Sequence, residues 1–488
     1  MSNGLILAID QGTTNTKALA VDAQGRVVDE ASAPMRVSYP QPGWAEQSAI
    51  DIWSSVQRVI AEVVKRDGPD FDAVAVSNQR ETIIGWDAIS GQPLAPAITW
   101  QCRRSTGRCE TIRRAGHAEL VAEKTGLGLD PLFPAAKIGW LIDNVPEVRD
   151  AADRGTLRVG TVDSWLLWNF TGGKVHATDH SNASRTQLLD TGRLAWDAEL
   201  LAIFGVPPSA LPQLKTSDSH FGAIAAGVTA LTTGTPVHAM LGDSHAALFG
   251  HGVRTPGTVK ATYGTGSSLM TLTSGRRRSN HGLSSTIAWS TSAGPAYALE
   301  GNISVSGQAA AFMSELLGLA DPVALADLAA TVPDSNGVNF VPALVGLGAP
   351  HWAPEARGLI DGLTLGTRPA HLARAAIEAI AQQVADVFEA MQDDLGAPLA
   401  QLSADGGASR NDTLMQFQAD IIGRPVVRGD RAEASALGAM MMAAQAMGRP
   451  VAPSSQATTF TAVIGPADRA AIRARWHDAI RRTLWAPH

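Results

Sequence analysis

Two stretches of this 488-residue chain share one pattern, in which a short turn rich in threonine and glycine lies between two apolar strands. In the first stretch the polar turn spans residues 10–16 and joins strands at 5–9 and 18–21. In the second the turn is Gly264-Thr265-Gly266, again between two apolar runs. A pattern that recurs at the head of each half of a chain predicts a duplicated architecture, here with two turns that face each other.

The other segments alternate between strand and helix patterns. A third strand at 26–28 completes an antiparallel meander with the first two. Apolar residues at helical spacing predict a helix over 48–65, and a buried strand follows at 73–76. In the second half we predict a helix over 371–395 and a buried, Ala/Met-rich helix over 433–447. Strands that alternate with helices predict an α/β fold.

Length and charge limit the classes of protein that fit. A chain of this length exceeds what one hydrophobic core holds, so we expect at least two domains. Its 45% hydrophobic and 17% charged residues are typical of a globular protein. The net charge of −7 argues against nucleic acid, and against an anionic membrane, as the main partner.

Cysteine content and apolar run length bear on location. The two cysteines, Cys102 and Cys109, are not spaced as a Cys-x-x-Cys pair, which predicts reduced thiols, a cytoplasmic protein and no cysteine-based zinc site. The first ten residues lack the basic region and the apolar length of a signal peptide. Since no run approaches the ~18 apolar residues that span a bilayer, we expect no membrane partner.

The turn after the first strand has groups that suit phosphate. Gly12 leaves successive backbone N–H groups accessible, and Thr13 and Thr14 add hydroxyls. Lys17 adds a positive charge, and Asp10 offers a carboxylate to Mg²⁺, directly or through water. A polar hairpin with an Asp-turn is the alternative interpretation.

Two further turns also suit a nucleotide. In Gly264-Thr265-Gly266 the glycines let the backbone approach a phosphate closely, although the segment is not a dinucleotide-binding fingerprint. Gly406 and Gly407 precede a predicted helix, so a ring or ribose can lie against the backbone there. A plain strand-to-helix turn remains the alternative at the second position.

Polar residues at two strand ends suit a polyol. Arg80 and Glu81 can donate to and accept from neighbouring hydroxyls, although a surface salt bridge also fits. Asp243, between Gly242 and Ser244, is a candidate general base, with a helix cap as the alternative.

These stretches, taken in order, closely resemble the FGGY family of carbohydrate kinases, and within it the glycerol kinases. The matching segments cover nearly the whole chain and are AIDQGTT (8–14), YPQPGWAEQ (39–47), SNQRETIIGW (77–86), TWQCRR (99–104), GTVDSWLLW (160–168), TDHSNASRT (178–186), TYGTG (262–266), VPALVGLGAPHW (341–352) and DGGASRNDTLMQFQADI (405–421). The two family signatures match at Pro134-x-x-Lys137-x-x-Trp140 and at 358–378.

The resemblance implies two α/β domains of the ribonuclease-H-like kind found in actin and hexokinase, with the active site in the cleft between them. We expect the boundary between residues 1–248 and 249–488. The implied substrates are ATP, with Mg²⁺, and a small polyol or sugar, and the implied assembly is a homodimer or homotetramer. The family's functional positions match here as Asp10 for Mg²⁺; Thr13, Thr14, Asn15, Lys17, Gly264, Thr265, Gly266, Gly406 and Gly407 for ATP; Arg80, Glu81 and Trp100 for the carbohydrate; and Asp243 for the general base.

Three departures from the glycerol kinases fall in the substrate pocket. Leu132 replaces a tyrosine, Ser244 a glutamine and Ser268 a phenylalanine. Because two hydroxyl-contacting groups and one apolar wall are lost, we expect a roomier pocket that takes a four- or five-carbon polyol or ketose. Glycerol itself is the alternative substrate, and His245 either lines the pocket or lies in the core or on a helix surface. An alternative of another class is a non-catalytic ATP-driven switch like actin or Hsp70, although such a switch has no need for a polyol site.

Overall fold

The computed structural model describes residues 4–68, 70–430, 433–453 and 456–485. The strands of the first half are β1 Ile6–Gln11, β2 Asn15–Val21, β3 Val27–Pro34, β4 Glu46–Gln47, β5 Ala73–Asn78, β6 Ile83–Asp87, β7 Ala97–Ile98, β8 Leu157–Thr161, β9 Ala177–Asp179, β10 Leu189–Asp190, β11 Ala195–Trp196, β12 Gln213–Lys215, β13 His220–Ala223 and β14 Pro236–Gly242. Its helices are α1 Ala49–Asp67, α2 Thr106–Arg114, α3 Ala118–Thr125, α4 Pro134–Asn144, α5 Pro146–Asp153, α6 Val162–Phe170, α7 His180–Ala183, α8 Ala198–Phe204 and α9 Asp243–Gly250.

The second half continues the alternation of strands and helices. Its strands are β15 Thr258–Tyr263, β16 Ser267–Leu272, β17 Ser284–Thr291, β18 Gly294–Ile303, β19 Asn339–Val341, β20 Leu359–Asp361, β21 Gln401–Asp405, β22 Val426–Gly429 and β23 Ala457–Phe460. Its α-helices are α10 Gly307–Leu316, α11 Pro322–Ala330, α12 Pro369–Leu395, α13 Asp412–Ile422, α14 Ala434–Ala446 and α15 Pro466–Leu484. A short 3₁₀ helix, Gly407–Arg410, lies between β21 and α13.

The two main sheets repeat one arrangement. In the first sheet, of order β13-β14-β5-β1-β2-β3, the hairpin β1-β2 is antiparallel and β5 lies parallel to β1. In the second, of order β17-β18-β16-β15-β21-β22-β23, the hairpin β15-β16 is antiparallel and β21 lies parallel to β15. Each polar turn predicted from the sequence therefore caps the hairpin at the centre of its own sheet. The α/β class and the antiparallel meander β1-β2-β3 are confirmed.

Helix α1 shows why the local sequence specifies these elements. The Ser48 side chain accepts a hydrogen bond from the N–H of Asp51 at the helix start, and Gly68 ends the helix at a φ of 85°. Ile52 and Val56 belong to the apolar face that packs on the first sheet, in a cluster that also includes α6 residues. Each such buried side chain stabilises the fold by about 1.5–3 kcal/mol relative to an exposed one.

Two helices between the main sheets pack on the sheet of the opposite half. Helix α14, from the second half, contacts β1, β2, β5 and β14, whereas α9, from the first half, contacts β15, β16 and β17 in addition to β5 and β14 of its own sheet. A Cβ on Gly438 of α14 would lie 1.8 Å from the Ala246 carbonyl oxygen of α9, and a Cβ on Gly250 would lie 2.4 Å from that of Ala434. The two helices therefore cross with their backbones in direct contact.

The predicted boundary between residues 248 and 249 falls inside α9, and it stays a prediction. Among the described residues, no helix has both the length and the apolar character needed to cross a membrane. Cys102 and Cys109 are free and buried.

Candidate active site

The carboxyl ends of the parallel strands β1, β5 and β14 meet at one edge of the first sheet. There Asp10 lies opposite Ser77 in the register, and Asn78 lies opposite Gly242, the residue before Asp243. The Ser77 hydroxyl donates to Asp10 Oδ1 at 2.8 Å. Burial, and then the charge of Asp243, raise the pKa of Asp10 to about 6. The edge thus brings together two carboxylates that the sequence separates by more than 200 residues.

The first polar turn is tied to the neighbouring side chains. The Thr13 hydroxyl accepts from Trp100 Nε1 at 2.9 Å and donates to Gln79 Oε1 at 3.3 Å. Trp100 is 38% exposed. Thr13 therefore connects the turn to Trp100, which the family resemblance assigns to the carbohydrate.

The other residues of this turn have different surroundings. Thr14 is exposed, whereas the Asn15 amide exchanges hydrogen bonds with the Ser32 hydroxyl on β3. Lys17 forms an ion pair with Glu433, the residue that precedes α14. Sequence reasoning missed that pair because the two residues are more than 400 positions apart.

The second polar turn rests on the start of α10. The carbonyl oxygen of Gly264 accepts from the N–H of Gly307 at 2.9 Å, and that of Thr265 accepts from the N–H of Ser306 at the same distance. A Cβ on Gly266 would lie 2.4 Å from the Ile303 carbonyl oxygen, so a side chain is excluded there. Thr265 itself is exposed at the tip of the turn.

The Gly406-Gly407 turn lies beside the second polar turn. Gly406 has a φ of 91°, and a Cβ on it would lie 2.5 Å from the Tyr263 carbonyl oxygen. Next to Gly407 nothing lies within 4 Å of an added Cβ. The three glycine turns predicted from sequence are thus distributed as one on the first sheet and two adjacent ones on the second.

Arg80 contacts the candidate base directly. Its Nε donates to Asp243 Oδ1 at 3.1 Å, and its Nη2 donates to the Ser244 hydroxyl at 3.3 Å. The Asp243 side chain is 37% exposed, and its contacts with Arg80 and with the Ser244 N–H both use Oδ1.

Sequence reasoning missed two charged residues behind this site, Arg185 and Glu300. Arg185 Nε donates to Glu81 Oε1 at 2.7 Å, and both Arg185 and Arg80 contact the Glu300 carboxylate. Arg185 lies in the matched segment 178–186 and Glu300 ends an apolar run, but neither residue has a spacing that indicates a functional site. Glu81 has a φ of 62°, a strained conformation for a non-glycine residue.

Leu132 is linked to Glu81 through a buried lysine. Lys137 Nζ donates to the Leu132 carbonyl oxygen at 2.6 Å and to that of Glu81 at 3.1 Å. Burial lowers the pKa of Lys137 to about 7. The polar contacts of Leu132 are therefore made by its backbone.

The two serine departures meet each other in the structure. The Ser244 hydroxyl donates to Ser268 Oγ at 3.3 Å, and Ser268 donates to Glu300 Oε1 at 3.3 Å. His245 is fully buried, its Nε2 lies 3.1 Å from Thr286 Oγ1, and burial holds its pKa well below the usual value. Of the placements predicted for His245, the core position is the one observed.

Models of two domains match this chain in order. The N-terminal domain of the FGGY family of carbohydrate kinases matches residues 5–250, and the C-terminal domain matches residues 259–447. The chain belongs to the FGGY family of carbohydrate kinases. The predicted resemblance and the two-domain fold are therefore confirmed.

Individual relatives of this FGGY kinase cover all or nearly all of its length. A glycerol kinase from Symbiobacterium thermophilum is 44% identical over 100% of both chains, and an apulose kinase from Pectobacterium atrosepticum is 46% identical over 92% of this chain and 90% of its own. The crystal structure of Plasmodium falciparum glycerol kinase with ADP superposes with a TM-score of 0.92 at 31% identity and covers 99% of each chain.

Family membership establishes the type of reaction. The protein is a glycerol-kinase-like phosphotransferase that uses ATP to phosphorylate a sugar or polyol. A non-catalytic switch like actin or Hsp70 is therefore excluded as its function.

Proposed function

We propose that Asp243 is the general base of the transfer and that Arg80, Glu81 and Trp100 hold the hydroxyls of the carbohydrate. Asp243 takes the proton of the attacking hydroxyl, whose oxygen then bonds to the γ-phosphorus of ATP while the bond to the ADP oxygen breaks. The observation that carries this proposal is the Arg80–Asp243 contact of 3.1 Å at the cleft. Arg80 keeps the base oriented, and orientation supplies much of the rate in phosphoryl transfer.

The nucleotide is proposed to lie between the two sheets. Thr13, Thr14, Asn15 and Lys17 approach its phosphates from the first sheet, and the turns at 264–266 and 406–407 hold phosphate and adenosine from the second. The exposed tip of Thr265 and the open space beside Gly407 support this arrangement. The Asn15 amide must exchange its contact with Ser32 if it binds phosphate directly.

Asp10 is the proposed holder of Mg²⁺. Its carboxylate lies at a strand end beside a second carboxylate, and burial disfavours its charge, so a cation there relieves both effects. When bound, Mg²⁺ supplies charge neutralisation for the phosphate oxygens.

A four- or five-carbon polyol or ketose is the proposed carbohydrate. Where glycerol kinases have glutamine and phenylalanine, Ser244 and Ser268 place two small hydroxyls within 3.3 Å of each other. The space and the hydroxyls suit a longer, more oxygenated carbon chain than glycerol. Similarity to an apulose kinase supports this choice, while similarity to several glycerol kinases keeps glycerol as the second candidate.

Specificity constants over a substrate panel test the proposal. The panel contains glycerol, four- and five-carbon polyols and ketoses, and apulose, with ADP release as the readout. We expect at least one longer substrate to have a higher specificity constant than glycerol, because each unfilled methylene-sized gap costs about 1–3 kcal/mol of discrimination. Ser268→Phe with Leu132→Tyr should shift the preference back toward glycerol. A wild-type preference for glycerol over every longer substrate would contradict the proposal.

Assembly and location complete the proposal. Homodimers or homotetramers are inferred from the family resemblance, and sedimentation velocity measures the assembly. A cytoplasmic location is supported by the free, buried thiols of Cys102 and Cys109.

A further inference from the structure

Five charged side chains of alternating sign form a continuous series of ion pairs that ends at the candidate base. In order they are Glu81, Arg185, Glu300, Arg80 and Asp243. The successive nitrogen–oxygen distances are 2.7, 2.7, 2.6 and 3.1 Å. Only the last member opens widely to the cleft, since the side chains of Arg185 and Glu300 are 0% exposed and that of Arg80 is 8% exposed.

Glu300 is the one member of this series of ion pairs that comes from the second sheet. It lies on β18, opposite Met270 of β16 in the register. The other four members belong to the first half and reach Glu300 across the junction between the halves. One carboxylate of the second half therefore receives two arginines of the first.

Electrostatics make that carboxylate hard to replace. Burial alone raises the pKa of Glu300, but the Arg185 and Arg80 guanidiniums hold it at about 2, so the carboxylate is charged at neutral pH. Without this charge, two buried guanidiniums would face each other, and removing one partner of a buried ion pair is strongly unfavourable. Arg80 would then turn toward solvent or rely on Asp243 alone.

We propose that Glu300 is a positioning residue of this kinase, which holds Arg80 in the orientation that contacts Asp243 and makes the carbohydrate pocket depend on how the two halves fit together. The inference rests on the proposed roles of Arg80 and Asp243. Glu300 acts through Arg80, and Ser268 Oγ adds a second link from the same carboxylate to the pocket.

Glu300→Gln tests the inference because it keeps the shape and removes the charge. We expect the KM for the carbohydrate to rise at least tenfold and kcat to fall at least tenfold, while the KM for ATP changes less than threefold. Glu300→Asp keeps the charge but shortens the reach, so it can hold one arginine but not both. Its specificity constant should lie between those of the wild type and Glu300→Gln.

The matched control is Asp386→Asn, in a buried ion pair of the second half. Asp386 contacts Arg473 at 2.5 Å and Trp476 Nε1 at 2.9 Å, away from the candidate base. We expect this variant to lose thermal stability with KM and kcat close to those of the wild type. If folded Glu300→Gln, like the control, loses only thermal stability, or if it retains the wild-type KM and kcat, the inference is wrong. If Glu300→Gln does not fold, wild-type constants in folded Glu300→Asp overturn it equally.

Arg80→Ala separates failure of this inference from failure of the proposed function. If Arg80→Ala had the wild-type turnover and carbohydrate KM, the proposed carbohydrate site itself would be wrong. If Arg80→Ala lost turnover or carbohydrate binding while the Glu300 variants kept wild-type values, only the positioning role of Glu300 would be wrong.

Discussion

Asp10 and Asp243 lie at neighbouring strand ends of the first sheet, yet their surroundings differ. Asp10 accepts from Ser77 and has a pKa raised to about 6, whereas Asp243 accepts from Arg80 and from the backbone N–H of Ser244. Contacts with Arg80 and the Ser244 N–H fix the orientation of the Asp243 carboxylate, and a desolvated carboxylate such as Asp10 favours a bound cation. The two environments match the two roles proposed for these residues.

Asp243→Asn should nearly abolish phosphoryl transfer and keep ATP binding. The amide cannot accept the proton of the attacking hydroxyl, so we expect kcat to fall by about 10²–10⁴-fold. Steady-state kinetics measure the loss, and titration calorimetry with ATP measures the retained binding. Wild-type turnover in the folded variant would remove Asp243 as the base.

Asp10→Asn should stabilise the metal-free protein while it destroys activity. The folded pKa of about 6 exceeds the ordinary value of 3.8, so the folded state holds more protons between these values. Stability therefore falls as pH rises through that window, and above pH 6 the ionised Asp10 lowers the free energy of unfolding by the full amount, about 3 kcal/mol. The variant lacks this penalty and should melt at a higher temperature than the wild type at pH 7.5 in EDTA.

The control for Asp10→Asn is the same pair of melts at pH 4, where the difference should shrink. Added Mg²⁺ should raise the melting temperature of the wild type more than that of the variant. An equal Mg²⁺ effect on both proteins would rule out Asp10 as the holder of the ion.

Distinctive local chemistry lets the sequence indicate candidate site residues, whose roles stay predictions. Asp243 and Arg80 are candidates because polar residues follow apolar strands there, and the two side chains are in contact in the structure. The sequence does not indicate Arg185 and Glu300, because a buried ion pair is defined by partners far apart in sequence and each residue alone looks like an ordinary charged residue.

Among the secondary-structure elements, helix periodicity was enough to locate α1, α12 and α14. The predicted limits 48–65, 371–395 and 433–447 differ from those observed by at most two residues. Periodicity does not reveal which sheet a helix covers, however. The exchange of α9 and α14 between the halves was therefore not predictable from the sequence.

Gly438→Ala should destabilise the protein through the helix crossing. The added methyl would lie 1.8 Å from the Ala246 carbonyl oxygen, so α14 and α9 must separate. Overpacking of this kind costs about 1–3 kcal/mol or more, measured by chemical denaturation. Gly107→Ala in α2 is the matched control, since nothing lies within 4 Å of its new methyl. The control should be neutral or up to about 1 kcal/mol more stable, and equal effects of both substitutions would contradict the crossing.

At the scale of the whole molecule, the two halves depend on each other for their cores. One core cluster combines Ile6 and Ala8 of the first sheet with Leu437 and Met440 of α14. We expect a fragment of residues 1–250 to expose this face, bind a hydrophobic dye and aggregate. Coexpression with residues 251–488 should restore a soluble complex. A monomeric fragment with a cooperative melt would show that α14 is dispensable to the first half.

The same exchange of helices sets an order of events during synthesis. When α9 leaves the ribosome, about 180 residues remain to be made before α14 begins. At roughly 5–20 residues per second, one face of the first sheet stays uncovered for roughly 10–40 s. The nascent chain therefore carries an incompletely covered apolar sheet until α14 is made, so we expect the rate of elongation and the supply of chaperones to affect the yield of this kinase.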